Sequence, residues 1–285
     1  MDAIDLGATA IQLVNIPSGT FLMGSPNVLI SEAPVHEVTI GYEFYLGKFL
    51  VTQHQWEVVM GQNNSAQFRT SPEHPVDSVS WEEAIAFCQK LSERCGARAR
   101  LPSEAEWEYA CRAGTQGEFF FGAAGPFVDE TSVPSEVRHS LQEYAWFEEN
   151  SREETHAVGL KKPNPWEFFD IVGNLWEWCE DVWHSDYVGA LIDGSPWRSA
   201  ADPQPRRCLR GGAWNMDAFR CRSFYRSWDR KDVATNRFGF RIGVPAYSRP
   251  RWFCPVPSGW GSGWRGDAGS NRTDICASCI GSILI

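Results

Sequence analysis

The sequence predicts an α+β domain, loop-rich, in which short antiparallel strands meet about three helices. Three observations carry that expectation. Residues 10–50 alternate apolar and polar positions between turn signals. Three boxes of the form S/T-x-x-E/Q then open segments with helical patterning. From Gly114 to about Pro245 the periodicity fades, yet the stretch is rich in Trp rather than in the Ser, Glu and Lys of disordered chains.

The early elements follow in order. I-Q-L-V-N-I-P-S-G-T-F-L-M-G-S (Ile11–Ser25) reads as two strands around the turn Pro17-Ser18-Gly19, followed by H-E-V-T-I and F-Y-L-G-K-F-L. Thr52-x-x-Gln55 opens the first helix, and Gly61 stops it. Ser80-x-x-Glu83 opens the second, W-E-E-A-I-A-F-C-Q-K-L-S-E-R, with Ala84, Phe87, Cys88 and Leu91 on one face. Ser103-x-x-Glu106 opens the third, E-A-E-W-E-Y-A-C-R-A, which ends at Gly114. In each box the cap oxygen accepts from an orphan backbone N–H, and the Glu or Gln reaches back to the cap.

Composition narrows the function classes. Hydrophobic residues at 43 % and charged residues at 22 % suit a globular protein with a real core. Fourteen Trp favour irregular segments pinned by aromatic anchors, because each indole N–H needs a partner when buried. The net charge of −10 argues against nucleic acid as a partner. No apolar run is long enough for a membrane span. M-D-A-I-D-L-G-A-T-A lacks a basic n-region, so a cytoplasmic location is expected, with the scattered cysteines reduced apart from Cys276 and Cys279, which form a separate motif. The Pro-, Gly- and Ser-rich stretch 246–285 reads as a weakly ordered appendage. Its Cys276-x-x-Cys279 lacks the second ligand pair of a zinc site.

An ordered set of motifs then points to a family. I-P-S-G-T-F-L-M-G-S (Ile16–Ser25), E-A-P-V-H-E-V (Glu32–Val38), V-T-Q-H-Q-W (Val51–Trp56) and H-P-V-D-S-V-S-W (His74–Trp81) come first. R-L-P-S-E-A-E-W-E-Y-A-C-R-A-G (Arg100–Gly114), N-S at Asn150 and T-H-A-V-G-L-K-K-P-N-P-W (Thr155–Trp166) follow. D-I-V-G-N-L-W-E-W (Asp170–Trp178), L-R-G-G-A-W (Leu209–Trp214) and G-F-R (Gly239–Arg241) close the series. The chain resembles the formylglycine-generating enzyme, or sulfatase-modifying factor, family over about residues 10–243. That resemblance implies a C-type-lectin-like fold and one domain over about residues 8–245.

Two chemistries follow from it. Asp170 and Glu177 are hard carboxylates separated by Gly173 and Leu175, whose carbonyls can turn inward, and Ca2+ takes six to eight such oxygens. The resemblance places a structural calcium ion at Asp170, Gly173, Leu175 and Glu177. The family's second calcium site falls near Asn150, where S-R-E-E-T offers no clear ligand set. The family's oxidases bind Cu(I) through two cysteines and use O2 to turn a substrate cysteine into formylglycine. The later cysteine matches Cys221, but the earlier matches Met216, an associated serine matches Ala213, and a nearby tryptophan matches Trp176. A thioether cannot become a thiolate, so this pair is a poor copper site.

The stretch after G-G-A-W mixes rigid aromatics, Arg and adaptable polar residues, a composition suited to recognition. It also resembles the variable proteins of diversity-generating retroelements. The expectation is a non-catalytic domain that binds a protein or small molecule through about residues 213–237. Trp214, Asn215, Asp217, Phe219, Arg226, Trp228 and Arg230 are its candidate contacts. The alternative is a copper-dependent oxidase of a protein cysteine, centred on Cys221 with Trp176.

Overall fold

A computed structural model of the chain describes residues 2–26, 29–62, 66–69, 71–122, 127–198 and 205–246. The chain separates into units 1–255 and 256–285, and only the first contains described residues. The expected appendage from residue 247 onward, with Cys276 and Cys279, lies outside them.

The N-terminal strands are β1 (Asp2–Asp5), β2 (Ala10–Ile16), β3 (Gly19–Met23), β4 (His36–Ile40) and β5 (Phe44–Gly47). Pro17 and Ser18 join β2 to β3 as expected, but the two strands do not pair. Both edges of β2 are taken, by β1 through Leu13↔Asp2 and by β5 through Leu13↔Gly47. β3 pairs with β4 in a separate two-stranded sheet. β1 itself precedes residue 8, where the domain was expected to begin.

All three capping boxes form. They start α1 (Gln53–Met60), α2 (Trp81–Cys95) and α3 (Glu104–Arg112). Gly61 and Gly96 take the left-handed C-cap, and in α3 Ala113 takes that role at φ 46°, one residue before the expected glycine. A fourth helix, α4 (Ser135–Leu141), was not expected, since no side chain caps its start at Pro134. The remaining strands are β6 (Trp176–Val182), β7 (Arg206–Arg210), β8 (Arg226–Arg230), β9 (Phe238–Gly239) and β10 (Gly243–Pro245). Strands β8-β7-β6-β9 form one sheet, and β10 returns to β5 beside the N-terminal strands. The architecture is α+β with antiparallel pairing throughout except β6 with β9.

Two apolar clusters fill the interior. Phe21, Ile40, Phe44, Trp107, Phe147 and Phe168 belong to one, and Ile4, Leu13, Trp56, Phe87, Trp178 and Phe240 to the other. Each such side chain contributes about 1.5–3 kcal/mol on burial. Two tryptophan indoles tie β6 to α2 and to the residue before its N-cap. Trp81 Nε1 donates to the Cys179 carbonyl at 2.9 Å, and Trp178 Nε1 to that of Val79 at 2.8 Å.

Every residue of α3 is buried, including Glu104, Glu106, Glu108 and Arg112. Arg210 and Arg226 from distant strands pair with Glu104 and Glu108, which local patterning cannot show, while Arg100 and Arg112 pair locally with Glu106 and Glu108. Among the cysteines, Cys88, Cys111, Cys179, Cys208 and Cys221 are free and buried, but Cys95 is disulfide-bonded. Pairing depends on which sulfurs the fold brings together, so spacing alone could not reveal it. Among the described residues no helix is long and apolar enough to cross a membrane.

Candidate functional site

Residues 211–237 run from the end of β7 across a loop, a 3-10 turn at Ala218–Cys221, and back through β8. Gly211 and Gly212 have φ of 97° and 79°, which L side chains rarely adopt. A Cβ on Gly212 would stand 2.9 Å from Cys221 Sγ and 3.1 Å from the Arg220 carbonyl oxygen. Gly212→Ala is therefore expected to cost about 1–3 kcal/mol, measured as a shift in the urea midpoint.

The backbone beyond this turn is tied on both sides. Trp214 N–H donates to the Asn174 carbonyl at 3.0 Å, and Glu148 N–H to that of Met216 at 3.0 Å. The Asp217 carboxylate caps the 3-10 turn through Arg220 N–H at 3.1 Å and pairs with the Arg220 guanidinium.

Three buried arginines clamp the segment from beneath. Arg222 meets Glu32 at 2.8 Å and Glu118 at 3.4 Å. Arg210 meets Glu108 at 2.6 Å and Glu104 at 3.2 Å, and also donates to the Ser223 carbonyl at 3.0 Å. Arg226 grips Glu104 twice, at 2.6 and 2.8 Å. Burial works to raise the Glu104 carboxyl, but Arg226 and Arg210 outweigh it and hold it at about 2. Burial pushes Glu32 up to about 7 against the pull of Arg222. Asp181 accepts from the N–H groups of Glu104 and Trp197 at 2.7 Å each. Burial and the Glu104 carboxylate push it up to about 8.

The candidate contacts divide accordingly. Trp214, Asn215 and Asp217 are half-buried, while Trp228 and Arg230 are exposed on β8. Arg226 and Phe219 are not surface contacts: they are 3 % and 5 % exposed, Arg226 committed to Glu104 and Phe219 lying under the Arg222 guanidinium at 3.7 Å. Alternation does not separate the first from the others, since Arg226, Trp228 and Arg230 share one face of β8; Arg226 is buried at the start of the strand, where Trp183 and Tyr187 cover it. Arg206, exposed at the start of β7 and stacked on Trp228 at 3.7 Å, was missed because it lies before the G-G motif.

At the position matching the oxidase pair, Cys221 is 0 % exposed and burial pushes its thiol up to about 12. Ala213 and Trp176 are buried, and Met216 is half-buried.

Of the calcium candidates, Asp170, Gly173 and Leu175 lie in an irregular loop with positive φ at Asp170, Gly173 and Asn174, while Glu177 lies on β6. Both acids are buried. Glu177 is held by Arg241 at 2.6 Å through two nitrogens and by Trp107 Nε1 at 2.8 Å. Asp170 Oδ2 accepts from Gly159 N–H at 2.8 Å, while its Oδ1 has only Asn174 Nδ2 at 3.4 Å. Burial pushes Asp170 up to about 6. Two carboxylates thus face one guanidinium, which leaves negative charge for a cation at Asp170, whereas Glu177 would have to share its oxygens with Arg241. No cluster of three or more His, Cys, Asp or Glu exists among the described residues, so backbone oxygens would have to complete such a site. Asn150 spends its side chain on its own turn, accepting from Phe147 N–H and donating to the Ala145 carbonyl, each at 2.9 Å.

The sulfatase-modifying factor enzyme 1-like domain matches residues 6–244. The chain belongs to the sulfatase-modifying factor family. Formylglycine-generating enzyme from Bos taurus is 31 % identical over 199 residues, 66 % of this chain and 48 % of its own length. The Streptomyces coelicolor enzyme of the same name is 31 % identical over 185 residues, 61 % of this chain and 54 % of its own. The chain thus spans about half the length of these relatives. Among solved structures, PvdO from Pseudomonas aeruginosa superposes with TM-score 0.72 and 25 % identity, covering 85 % of this chain and 97 % of its own. Treponema denticola variable protein 1 superposes with TM-score 0.71 and 28 % identity, covering 85 % and 98 %. This member of the family therefore has the α+β, C-type-lectin-like fold that its motifs implied, shared with PvdO and Treponema denticola variable protein 1.

Proposed function

We propose that this chain is a non-catalytic binding member of the family, presenting a ligand surface at about residues 213–237 to a protein or small molecule. One observation carries the reading. Trp214, Asn215, Asp217, Trp228 and Arg230 reach solvent from a backbone fixed underneath by the Arg210, Arg222 and Arg226 clamps. Adaptable side chains on a rigid support lose little entropy on binding, which favours affinity. The likeness to Treponema denticola variable protein 1 supports the same reading. A displayed library of random peptides tests it: sequences enriched on the wild-type chain should be lost on a variant with Trp214, Asn215 and Trp228 replaced by alanine.

The alternative is the oxidase, supported by the relatives named formylglycine-generating enzyme. Its copper would need two thiolates, and here one position is Met216 while the other thiol is sealed and held protonated at neutral pH. We expect a peptide carrying C-x-P-x-R to keep its mass after incubation with Cu(I), O2 and the protein. Conversion of its thiol to an aldehyde, abolished by Cys221→Ser, would reverse the assignment.

Calcium at Asp170, Gly173, Leu175 and Glu177 belongs to the same proposal, as a staple rather than a catalyst. A ligand that binds only the folded chain stabilises it by about 2.7 kcal/mol at a hundred times its Kd. Millimolar Ca2+ should therefore raise Tm above its value in chelator, and Asp170→Ala should remove the rise. An unchanged Tm in the wild-type chain would count against the staple.

A further inference from the structure

We propose that Arg206 and Trp228 form the anchoring subsite of this surface, and that the group it takes is the free C-terminal carboxylate of a peptide with an apolar last residue. The inference rests on the binding reading above and adds the class of ligand.

Arg206 and Trp228 are diagonal neighbours on one face of an antiparallel pair, since Arg206 lies opposite Arg230 and Cys208 opposite Trp228. The Arg206 guanidinium carbon is 3.7 Å from the centre of the Trp228 ring, and Trp228 is 39 % exposed. Trp183 stands beside them, its N–H donating to the Arg206 carbonyl at 2.9 Å and its ring 6.4 Å from that of Trp228. Beneath Trp183 lies Arg226 at 4.5 Å, and Tyr187 lies 4.1 Å from the same guanidinium. Trp228 and Arg206 are thus the exposed end of a stack of rings and cations whose inner member is fixed by Glu104. Anchoring at the inner end presets the outer pair, so little ordering remains to be done on binding.

The arginine accounting singles out Arg206. Seven arginines lie between positions 206 and 230. Arg210, Arg220, Arg222, Arg226 and Arg230 each pair with a carboxylate. Arg207 donates to the Glu180 carbonyl at 2.9 Å. Among the described residues, the Arg206 guanidinium has neither an ion pair nor a side-chain hydrogen bond. Stacking on Trp228 covers one face of its plane and leaves the N–H edges free, the geometry that takes a planar carboxylate in bidentate fashion. Trp228 and Trp183 supply apolar ring surface alongside for the side chain of the last residue. A doubly charged phosphate calls for several converging cations. Here Arg230, opposite Arg206, is already paired with Asp232, so a single unpaired guanidinium remains, which matches one carboxylate.

The test uses the full chain labelled with 15N-tryptophan, with the Trp228 indole N–H resonance identified by its loss in Trp228→Phe. The probes are N-acetyl-leucyl-phenylalanine, the same dipeptide as its C-terminal amide, N-acetyl-glutamyl-phenylalaninamide and inorganic phosphate. We expect a saturable shift with the acid and about tenfold weaker binding of the amide, the worth of one charge-assisted bond. The glutamyl amide should bind as weakly as the amide, which separates a C-terminal from a side-chain carboxylate. Arg206→Gln, at an exposed position, should keep the folded spectrum and erase the difference between acid and amide. Equal binding of acid and amide, a difference that survives Arg206→Gln, or phosphate binding more tightly than the acid would each overturn the proposal. If library-selected peptides bind the wild-type chain and lose nothing on Arg206→Gln, this inference falls and the binding reading stands. If no peptide is enriched and no probe shifts the resonance, both fall.

Discussion

Glu104→Ala is expected to destabilise the chain by about 3–5 kcal/mol, the usual cost of leaving buried charges without their partner. Glu104 serves two fully buried guanidinium groups, from Arg210 on β7 and Arg226 on β8. Without it, Arg226 keeps only the carbonyls of Ser31 and His184. Neither can neutralise a cation. At about 2–4 °C per kcal/mol for a domain of this size, Tm should fall by roughly 6–20 °C. Arg230→Ala is the control: its pair with Asp232 is exposed, and surface changes of this kind stay within about 0.5 kcal/mol. A Glu104→Ala loss no larger than that of Arg230→Ala would refute the idea that the clamps hold segment 211–237. The substitution should also broaden the Trp228 resonance, because Arg226 is the foundation on which that stack rests.

Stability is expected to fall as pH rises from about 5 to 8.5, the opposite of an ordinary acid-sensitive protein. Asp181 and Glu32 have folded pKa values raised from 3.8 to about 8 and from 4.5 to about 7. A raised carboxyl holds its proton better in the folded state. Its stabilisation is complete below the unfolded pKa and is lost as pH climbs through the folded value. Glu104 works in the other direction: held at about 2, it favours folding above 4.5 and loses that contribution as the solution is acidified below this value. The two limbs place maximum stability near pH 4–5. Thermal melts across that range should show it, and Asp181→Asn should flatten the slope between pH 7 and 8.5. The same variant should be less stable at pH 5, because an amide oxygen cannot accept from both the Glu104 and the Trp197 N–H as the two carboxyl oxygens do. A Tm that rises steadily to pH 8 would show that the network keeps these acids ionised.

How much of this was legible beforehand depended on the range of the interaction. The helix starts at Thr52, Ser80 and Ser103 were fixed by residues three apart, so the sequence alone determined them, and all three formed. The ordered motifs likewise determined the family and its fold. In segment 211–237, sequence marked Trp214, Asn215, Asp217, Trp228 and Arg230 as candidate contacts, and these reach solvent. Composition could not separate them from Phe219 and Arg226, because an arginine looks alike whether it faces water or a buried glutamate 122 positions away. Strand pairing was equally hidden: β2 and β3 read as a hairpin until β5 claimed the edge of β2. The same holds for Arg206, unremarkable in sequence and stacked on Trp228 only because β7 and β8 are in register. Caps and turns are decided by neighbours along the chain, where a few dihedral angles and one hydrogen bond suffice. Which charges are buried, which edges are filled and which guanidinium stays open are decided by groups that only the tertiary fold brings within a few ångströms.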